Sequence, residues 1–346
     1  MRINFAMWRK ASWQLIKMDD KKEWDALDVV SKWLIATRSA VTLVTVYSCV
    51  IAGILAARDG YFSLSSWVPF LIVTLGLFIA HGTNNLLNDY TDFNRGVDRD
   101  NYFRTQYGVH PLVQKFWDNR TSIRWFVASG ILASLAGLYA LFYTSFSAVT
   151  IWLFAFGAVV LLAYTYPFKY WGLGEFAIFL IWGPIMIAGV YFVISGFWNW
   201  NVVLAGIPFG LSVASINVAK HIDKHDDDKA RGVGTFPVRV GEAAARRVNQ
   251  IAITLIYLVI LYLVLDGYFT PAMLIVLLAY KEALAVLNVL KNPKPAQAPE
   301  GWPAWPVWFS GFAFQHNRKF GGFLILGLII DALLKGFLPN FWPGLF

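Results

Sequence analysis

Charge is scarce in this 346-residue chain: Asp, Glu, Lys and Arg make up 14% of it, against about 25% in a soluble domain. The shortfall excludes a water-surrounded globule. A chain that is 58% hydrophobic, with a mean hydropathy of +0.53, lacks the polar surface to cover itself. Cysteine is scarcer still. Cys49 is the only one, so neither an intrachain disulfide nor a multi-cysteine metal site can form. No alternating apolar–polar strand pattern recurs, which removes a transmembrane barrel. No apolar run precedes the first long one near residue 39, so a cleaved signal peptide is not expected.

What is present is a series of long apolar runs. Nine approach the roughly 20 residues needed to cross a bilayer: 39–57, 67–87, 125–144, 148–166, 176–196, 202–219, 251–265, 271–290 and 320–338. Bilayer backbone must satisfy its own hydrogen bonds, so these read as helices. The expected fold is an all-α polytopic membrane bundle of nine transmembrane helices around a central cavity. The run 251–265 is short and is expected to extend into its polar neighbours.

The net charge of +8 invites a nucleic-acid partner, and its distribution excludes one. With nine spans, all but three of the 29 Lys and Arg fall on the side that carries the N-terminus; Arg58 and Lys335 lie opposite and Lys281 within a span. That asymmetry places the N-terminus and the even-to-odd loops on the cytoplasmic face of the plasma (inner) membrane. Residues 1–36 mix Phe5, Trp8 and Trp13 with Arg9, Lys10 and Lys17. They suit an amphipathic segment on the membrane surface or a partly ordered polar leader. Residues 37–346 then form one transmembrane domain, its cytoplasmic cap made by loops 89–124 and 217–250. Five prolines and three tryptophans in 291–317 preclude a packed helix throughout; the segment reads as an aromatic belt or as a lid. Lys281 and Asp331 lie at mid-span depth, where charge is paired, and are expected to pair with each other.

Two acidic clusters end two of the runs. Asn84–Asp100 holds four carboxylates and four amides, among them Asn88, Asp89, Asp92 and Asp98; Asp223, Asp226, Asp227 and Asp228 form the second. Carboxylates this crowded repel one another unless a cation sits between them. Oxygen donors without a Cys or His-rich set point to Mg²⁺, which keeps few protein ligands and shares itself with phosphate. Asn88 with Asp92, and Asp223 with Asp227, are four apart and share a helix face. Arg95, Arg104, Lys220 and Arg239 can neutralise remaining phosphate charge. A phosphate-bearing substrate that also enters a bilayer bundle is an isoprenoid diphosphate. Asp100, Asp118 and Asp226 read as solvated loop charges, His110 and His221 as members of polar networks, and His81 as a packed helix residue.

These residues carry a family resemblance. Asn88-Asp89-Tyr90-Thr91-Asp92, followed by Gly96-Val97-Asp98, resembles the first aspartate-rich motif of the UbiA superfamily of intramembrane prenyltransferases, in the form of its naphthoquinone-prenylating branch. The second cluster is similar to that superfamily's D-x-x-x-D motif, with Gly232, Thr235 and Pro237–Gly241 following. Tyr164-Thr165 with Gly172-Leu173-Gly174-Glu175 resembles the loop after span 4 of the same branch. There are departures. Pairing Asp223 with Asp227 leaves the stretch to Gly232 one residue long, whereas making Asp228 the outer aspartate puts Lys224 at the inner position; the first pairing keeps the shared face. Arg104–Leu112 replaces the branch's T-R-P-L-like segment.

The resemblance implies Mg²⁺ held by Asn88, Asp89, Asp92, Asp98, Asp223 and Asp227, with Asp92 and Asp223 central to ionisation of a prenyl diphosphate. It implies that Tyr164 and Tyr166 steady the allylic carbocation, that Lys169 joins Arg95, Arg104 and Lys220 on the diphosphate, and that a small lipophilic acceptor captures the cation. Within the same resemblance, a terpene cyclase keeps the ionisation site and folds the cation onto its own chain. A non-catalytic membrane protein that binds polyprenyl phosphates is the rival of another class.

Overall fold

The computed structural model describes residues 3–98, 108–302, 305–338 and 340–345. Among them, nine helices are long and apolar enough to cross a bilayer. Three short helices come first: α1 (Phe5–Trp13), α2 (Lys21–Ala26) and α3 (Val29–Ala36). The spanning helices follow as α4 (Ser39–Arg58), α5 (Leu64–Asn94), α6 (Asn119–Tyr143), α7 (Ala148–Trp171), α8 (Gly174–Ser195) and α9 (Trp200–Asp223). Short α10 (His225–Ala230) and α11 (Phe236–Val240) lead to α12 (Glu242–Leu265), α13 (Pro271–Val289) and α14 (Phe309–Phe337).

Two of these bounds differ from the apolar runs for physical reasons. The short run at 251 becomes a full span because α12 starts at Glu242, after Gly241 at φ +89°. The last span starts at Phe309, not 320, because Asp223 caps it. The Asp223 carboxylate accepts from the backbone N–H groups of Trp308 (3.0 Å), Phe309 (2.9 Å) and Ser310 (3.0 Å), and from the Ser310 hydroxyl. Those donors are otherwise orphaned at a helix start.

The helices divide into a buried half and a lipid-facing half. α8 and α9 are the most enclosed. They cross where Gly183 meets Gly206 and Gly210: a Cβ on Gly183 would lie 2.6 Å from the Gly210 Cα. Small residues allow that approach, which is how membrane helices gain packing without a hydrophobic drive. α4, α12, α13 and α14 complete the core with Leu55, Ile256, Met273 and Phe320. α5, α6 and α7 bury far less of themselves and enclose a cavity against α8.

The N-terminal segment folds as three helices with a core of their own. Trp24, Leu27 and Leu34 pack with Leu86, Val109, Phe116 and Trp117, and Trp24 stacks on Phe116 at 5.1 Å. Phe5 and Trp13 stay exposed. The segment therefore braces the loop that follows α5.

The expected Lys281–Asp331 pair does not form. Lys281 is exposed, and Asp331 lies 3.4 Å from Arg58 and also accepts from the Thr270 N–H. Arg58 holds Asp59 at 2.8 Å and lies over the Tyr268 ring at 4.2 Å. This buried knot ties α4, α13 and α14 at the end opposite the acidic clusters. Breaking a buried pair leaves an uncompensated charge, so Asp331→Ala is expected to cost about 3 kcal/mol. Thermal unfolding in detergent checks it; an unchanged midpoint would show the knot to be dispensable.

Candidate active site

α5 is 31 residues long, about 46 Å, whereas the hydrocarbon core is about 30 Å thick. The helix is therefore longer than the apolar layer is thick. Asn84, Asn88 and Asp92 follow one another at four-residue steps along one face of it. Asn88 Nδ2 and Lys169 Nζ both donate to Asp92 Oδ2, each at 2.6 Å. Asp92 and Lys169 are buried. The other oxygen, Asp92 Oδ1, has no hydrogen-bond partner among the described residues.

Asp89 points to Arg38, whose Nη2 lies 3.2 Å from it. The Asp98 carboxylate accepts from His110 Nε2 at 3.1 Å, and one ligand atom from each of Asp89, Asp98 and His110 fits within a 4.8 Å group. Burial pushes the Asp98 carboxyl up, and Asp89 adds to that. The hydrogen bond and charge of His110, with the charge of Lys169, outweigh both and hold it below the ordinary carboxylate value. His110 is placed by the segment that joins α1 to α2. Val109 N–H donates to the Ile16 carbonyl (2.9 Å), His110 N–H to Gln114 Oε1 (2.8 Å), and Gln114 Nε2 to the Met18 carbonyl (2.7 Å).

The second cluster contributes one carboxylate, and it is not the expected one. Asp223 is spent on the α14 cap. Asp227 is exposed, with Arg231 at 3.8 Å. Asp228 turns inward, fully buried, with Lys224 Nζ at 2.8 Å and Thr235 Oγ1 at 3.3 Å. α9 ends at Asp223 and a new helix begins at His225. The face shared by Asp223 and Asp227 in an unbroken helix is thus lost, and the assumption of helix continuity across Lys224 fails there. Lys169 feels the charges of Asp92, Asp228 and Asp98, and Lys220 those of Lys224, Arg38, Lys169 and Asp228. The two clusters therefore converge at one end of the bundle, through Asp228.

Two expected residues lie elsewhere. Arg95 is exposed and lies over the Tyr166 ring at 3.9 Å and the Tyr170 ring at 4.9 Å. Tyr166 is itself about half exposed, where the chain leaves helical geometry before Pro167. Arg104 lies outside the described residues. Arg239 donates to the Tyr170 carbonyl at 2.7 Å. Sequence reasoning passed over Arg38 and Glu175. Glu175 is hydrogen-bonded to His221 Nδ1 and accepts from the Phe236 N–H at 3.2 Å, tying α8, α9 and α11 together beneath the polar cluster. Glu175 closes the Gly172–Glu175 motif, which was the available signal; Arg38 had one in its position, a lone cation at the mouth of α4.

An apolar cavity of about 380 Å³ opens beside this cluster. Asn84, Tyr164, His81 and Trp182 line its polar end, and Thr150 and Val193 its far end. Along α7, Tyr164 to Thr150 is fourteen residues, about 21 Å. Asn217 Nδ2 donates to the Tyr164 hydroxyl at 3.4 Å, and His81 Nδ1 bonds Thr45 Oγ1 at 2.8 Å. Tyr164 thus stands where the charged cluster meets the apolar cavity.

The first cluster fits a divalent cation: Asp89, Asp98 and His110 offer gathered donors, and Asp92 Oδ1 is buried without a partner among the described residues. The second does not. Its one inward carboxylate already carries an ammonium.

Comparison with known proteins bears on what this arrangement is for. The model of the UbiA prenyltransferase family matches residues 46–315. The chain is 25% identical over 274 residues to the 1,4-dihydroxy-2-naphthoate octaprenyltransferase of Bacillus subtilis (strain 168), covering 76% of this chain and 81% of that one. It is 28% identical over 237 residues to the 2-carboxy-1,4-naphthoquinone phytyltransferase of Synechocystis sp., covering 66% and 72%. Its fold is similar to that of a UbiA homolog from Archaeoglobus fulgidus bound to DMAPP and Mg²⁺, with TM-score 0.53 and 15% identity over 86% of this chain and 99% of that one.

Proposed function

Because the chain belongs to the UbiA prenyltransferase family, we propose that it transfers an isoprenoid chain from a prenyl diphosphate to a small aromatic acceptor of the naphthoate class, with Mg²⁺. The observation that carries this reading is one juxtaposition: buried carboxylates and ammonium groups lie one helical turn beyond Asn84 of an apolar cavity that runs along α7, with Tyr164 lining the same end. The relatives named for naphthoate substrates support the acceptor class, and the homolog bound to DMAPP and Mg²⁺ supports the donor and the metal.

In this reading Asn88, Asp89, Asp92, Asp98 and His110 hold the divalent cation. When bound, it supplies Lewis-acid neutralisation of the leaving diphosphate. Lys169, Lys220 and Lys224 face the phosphate oxygens as charge-assisted donors. The allylic C–O bond breaks and its electron pair leaves with the diphosphate. Tyr164 and Trp182 present ring faces to the carbocation, and the apolar wall keeps water from it. An acceptor carbon forms the new bond and its proton is lost. Residues 37–346 act as one catalytic domain, with the cap on the cytoplasmic face of the plasma membrane.

The test is incubation of the purified protein with geranylgeranyl diphosphate and 1,4-dihydroxy-2-naphthoate, with and without Mg²⁺, followed by mass detection. A Mg²⁺-dependent prenylated naphthoate is the expected product. A cyclic hydrocarbon formed without acceptor would replace this reading by the cyclase. Saturable donor binding with no diphosphate release would leave only a carrier.

A further inference from the structure

We propose that this chain takes one divalent ion at its diphosphate site, the Lys224 ammonium doing at the second cluster what a second ion would do there. The inference rests on the prenyl-diphosphate reading above and concerns how the diphosphate is neutralised.

A divalent cation needs more than one anionic or strongly polar donor directed at it, with no cation in the way. At the second cluster Asp226 is fully exposed beside His225, and the other three carboxylates are engaged as follows. Asp223 has both oxygens engaged by the start of α14. Asp227 faces outward beside Arg231. Asp228 remains, and Lys224 Nζ sits on it at 2.8 Å, with the Lys224 side chain 4% exposed and that of Asp228 fully buried. The two are four residues apart, Lys224 standing just ahead of α10, which carries Asp228. Lys220 and Lys169 both lie within electrostatic reach of the same carboxylate. An ion at this point would meet a carboxylate already paired with the Lys224 ammonium.

The first cluster also carries cations, Arg38 at 3.2 Å from Asp89 and Lys169 at 2.6 Å from Asp92 Oδ2, but it leaves several donors over. Asp89, Asp98 and His110 gather their donors within 4.8 Å, and Asp92 keeps one buried oxygen open. The first cluster therefore has donors to spare for a metal beside its own cations, and the second has none to spare. Ammonium groups such as that of Lys224 make point-charge contacts to phosphate. Unlike an ion, they cannot leave with the product.

The experiment counts ions directly. Full-length protein in detergent is dialysed to equilibrium against Mn²⁺ and inorganic diphosphate, and the Mn²⁺ and diphosphate retained per chain are measured. One Mn²⁺ with one diphosphate is expected in the native protein, and two Mn²⁺ in Lys224→Asp, where a second carboxylate replaces the ammonium. Two Mn²⁺ in the native protein would overturn the inference and leave the proposed function standing. No retention of either would overturn both. One Mn²⁺ in a folded Lys224→Asp would remove Lys224 as the excluding group. Should that variant not fold, Lys224→Gln decides: it is expected to keep one Mn²⁺ and bind diphosphate at least tenfold more weakly, and undiminished affinity would refute the role given to Lys224.

Discussion

Asp92→Ala is expected to lower turnover about a thousandfold, the largest loss from any single change at the site. The size follows from the chemistry. A Lewis acid supplies several kcal/mol of charge stabilisation to a departing oxyanion, and about 4 kcal/mol at 1.36 per decade is three decades. Asp92 is central because its two oxygens do different things. Oδ2 takes Lys169 and Asn88 at 2.6 Å each; Oδ1 is the buried oxygen left open toward the cluster. The same substitution leaves Lys169 buried beside an absent partner, which costs stability by about 3 kcal/mol. A drop in activity alone would confound the two effects. The double variant Asp92→Ala/Lys169→Met separates them: it removes both charges, so its unfolding midpoint is expected to recover while turnover does not. Recovery of turnover together with stability would mean that Asp92 serves only to hold Lys169.

That division shows where the site could be read from the residues and where it could not. The first cluster lies on one unbroken helix. Four-residue spacing therefore translates directly into a shared face, and Asn88 and Asp92 meet as their positions imply. The second cluster straddles a break. Nothing in Ile222–Asp228 announces that the helix ends at Asp223 and restarts at His225. The cause lies some 85 residues away, in a helix start at Phe309 that needs a carboxylate cap. A long-range hydrogen bond of this kind decides which aspartate faces inward, and its one trace in the sequence is the extra residue between Asp227 and Gly232, which favours Asp228 as the outer aspartate. Arg95 fails for a related reason: its partner ring, Tyr166, is brought over by a kink on another helix. The nine spans were legible because bilayer thickness acts on each of them separately. The Asp331–Arg58 pair was not, because partner choice depends on how α4 and α14 are arranged side by side.

Gly157→Phe is expected to invert the preference of the site between long and short prenyl donors. Gly157 lines the cavity on α7, seven residues and about 10 Å from Tyr164, so it stands near the middle of the cavity's depth. A Cβ built there meets no atom within 4 Å. The added ring therefore fills empty space without forcing the helices apart. Its neighbours behave differently: a Cβ on Gly137 would come within 2.3 Å of Phe154, and one on Gly76 within 2.3 Å of the Ala136 Cβ. Substitutions at those two glycines strain the packing and are expected to lower stability for every donor alike. At Gly157 the cost falls only on a chain that must pass the blocked level. A ten-carbon donor ends near that depth, whereas a twenty-carbon donor must leave carbons unburied at about 0.8 kcal/mol each. Four displaced carbons already exceed a hundredfold. With geranyl and geranylgeranyl diphosphate in competition, the product ratio should shift toward the shorter chain by at least that factor, at an unfolding midpoint close to that of the native protein. An unaltered ratio in a folded Gly157→Phe protein would mean that the prenyl chain does not run down this cavity.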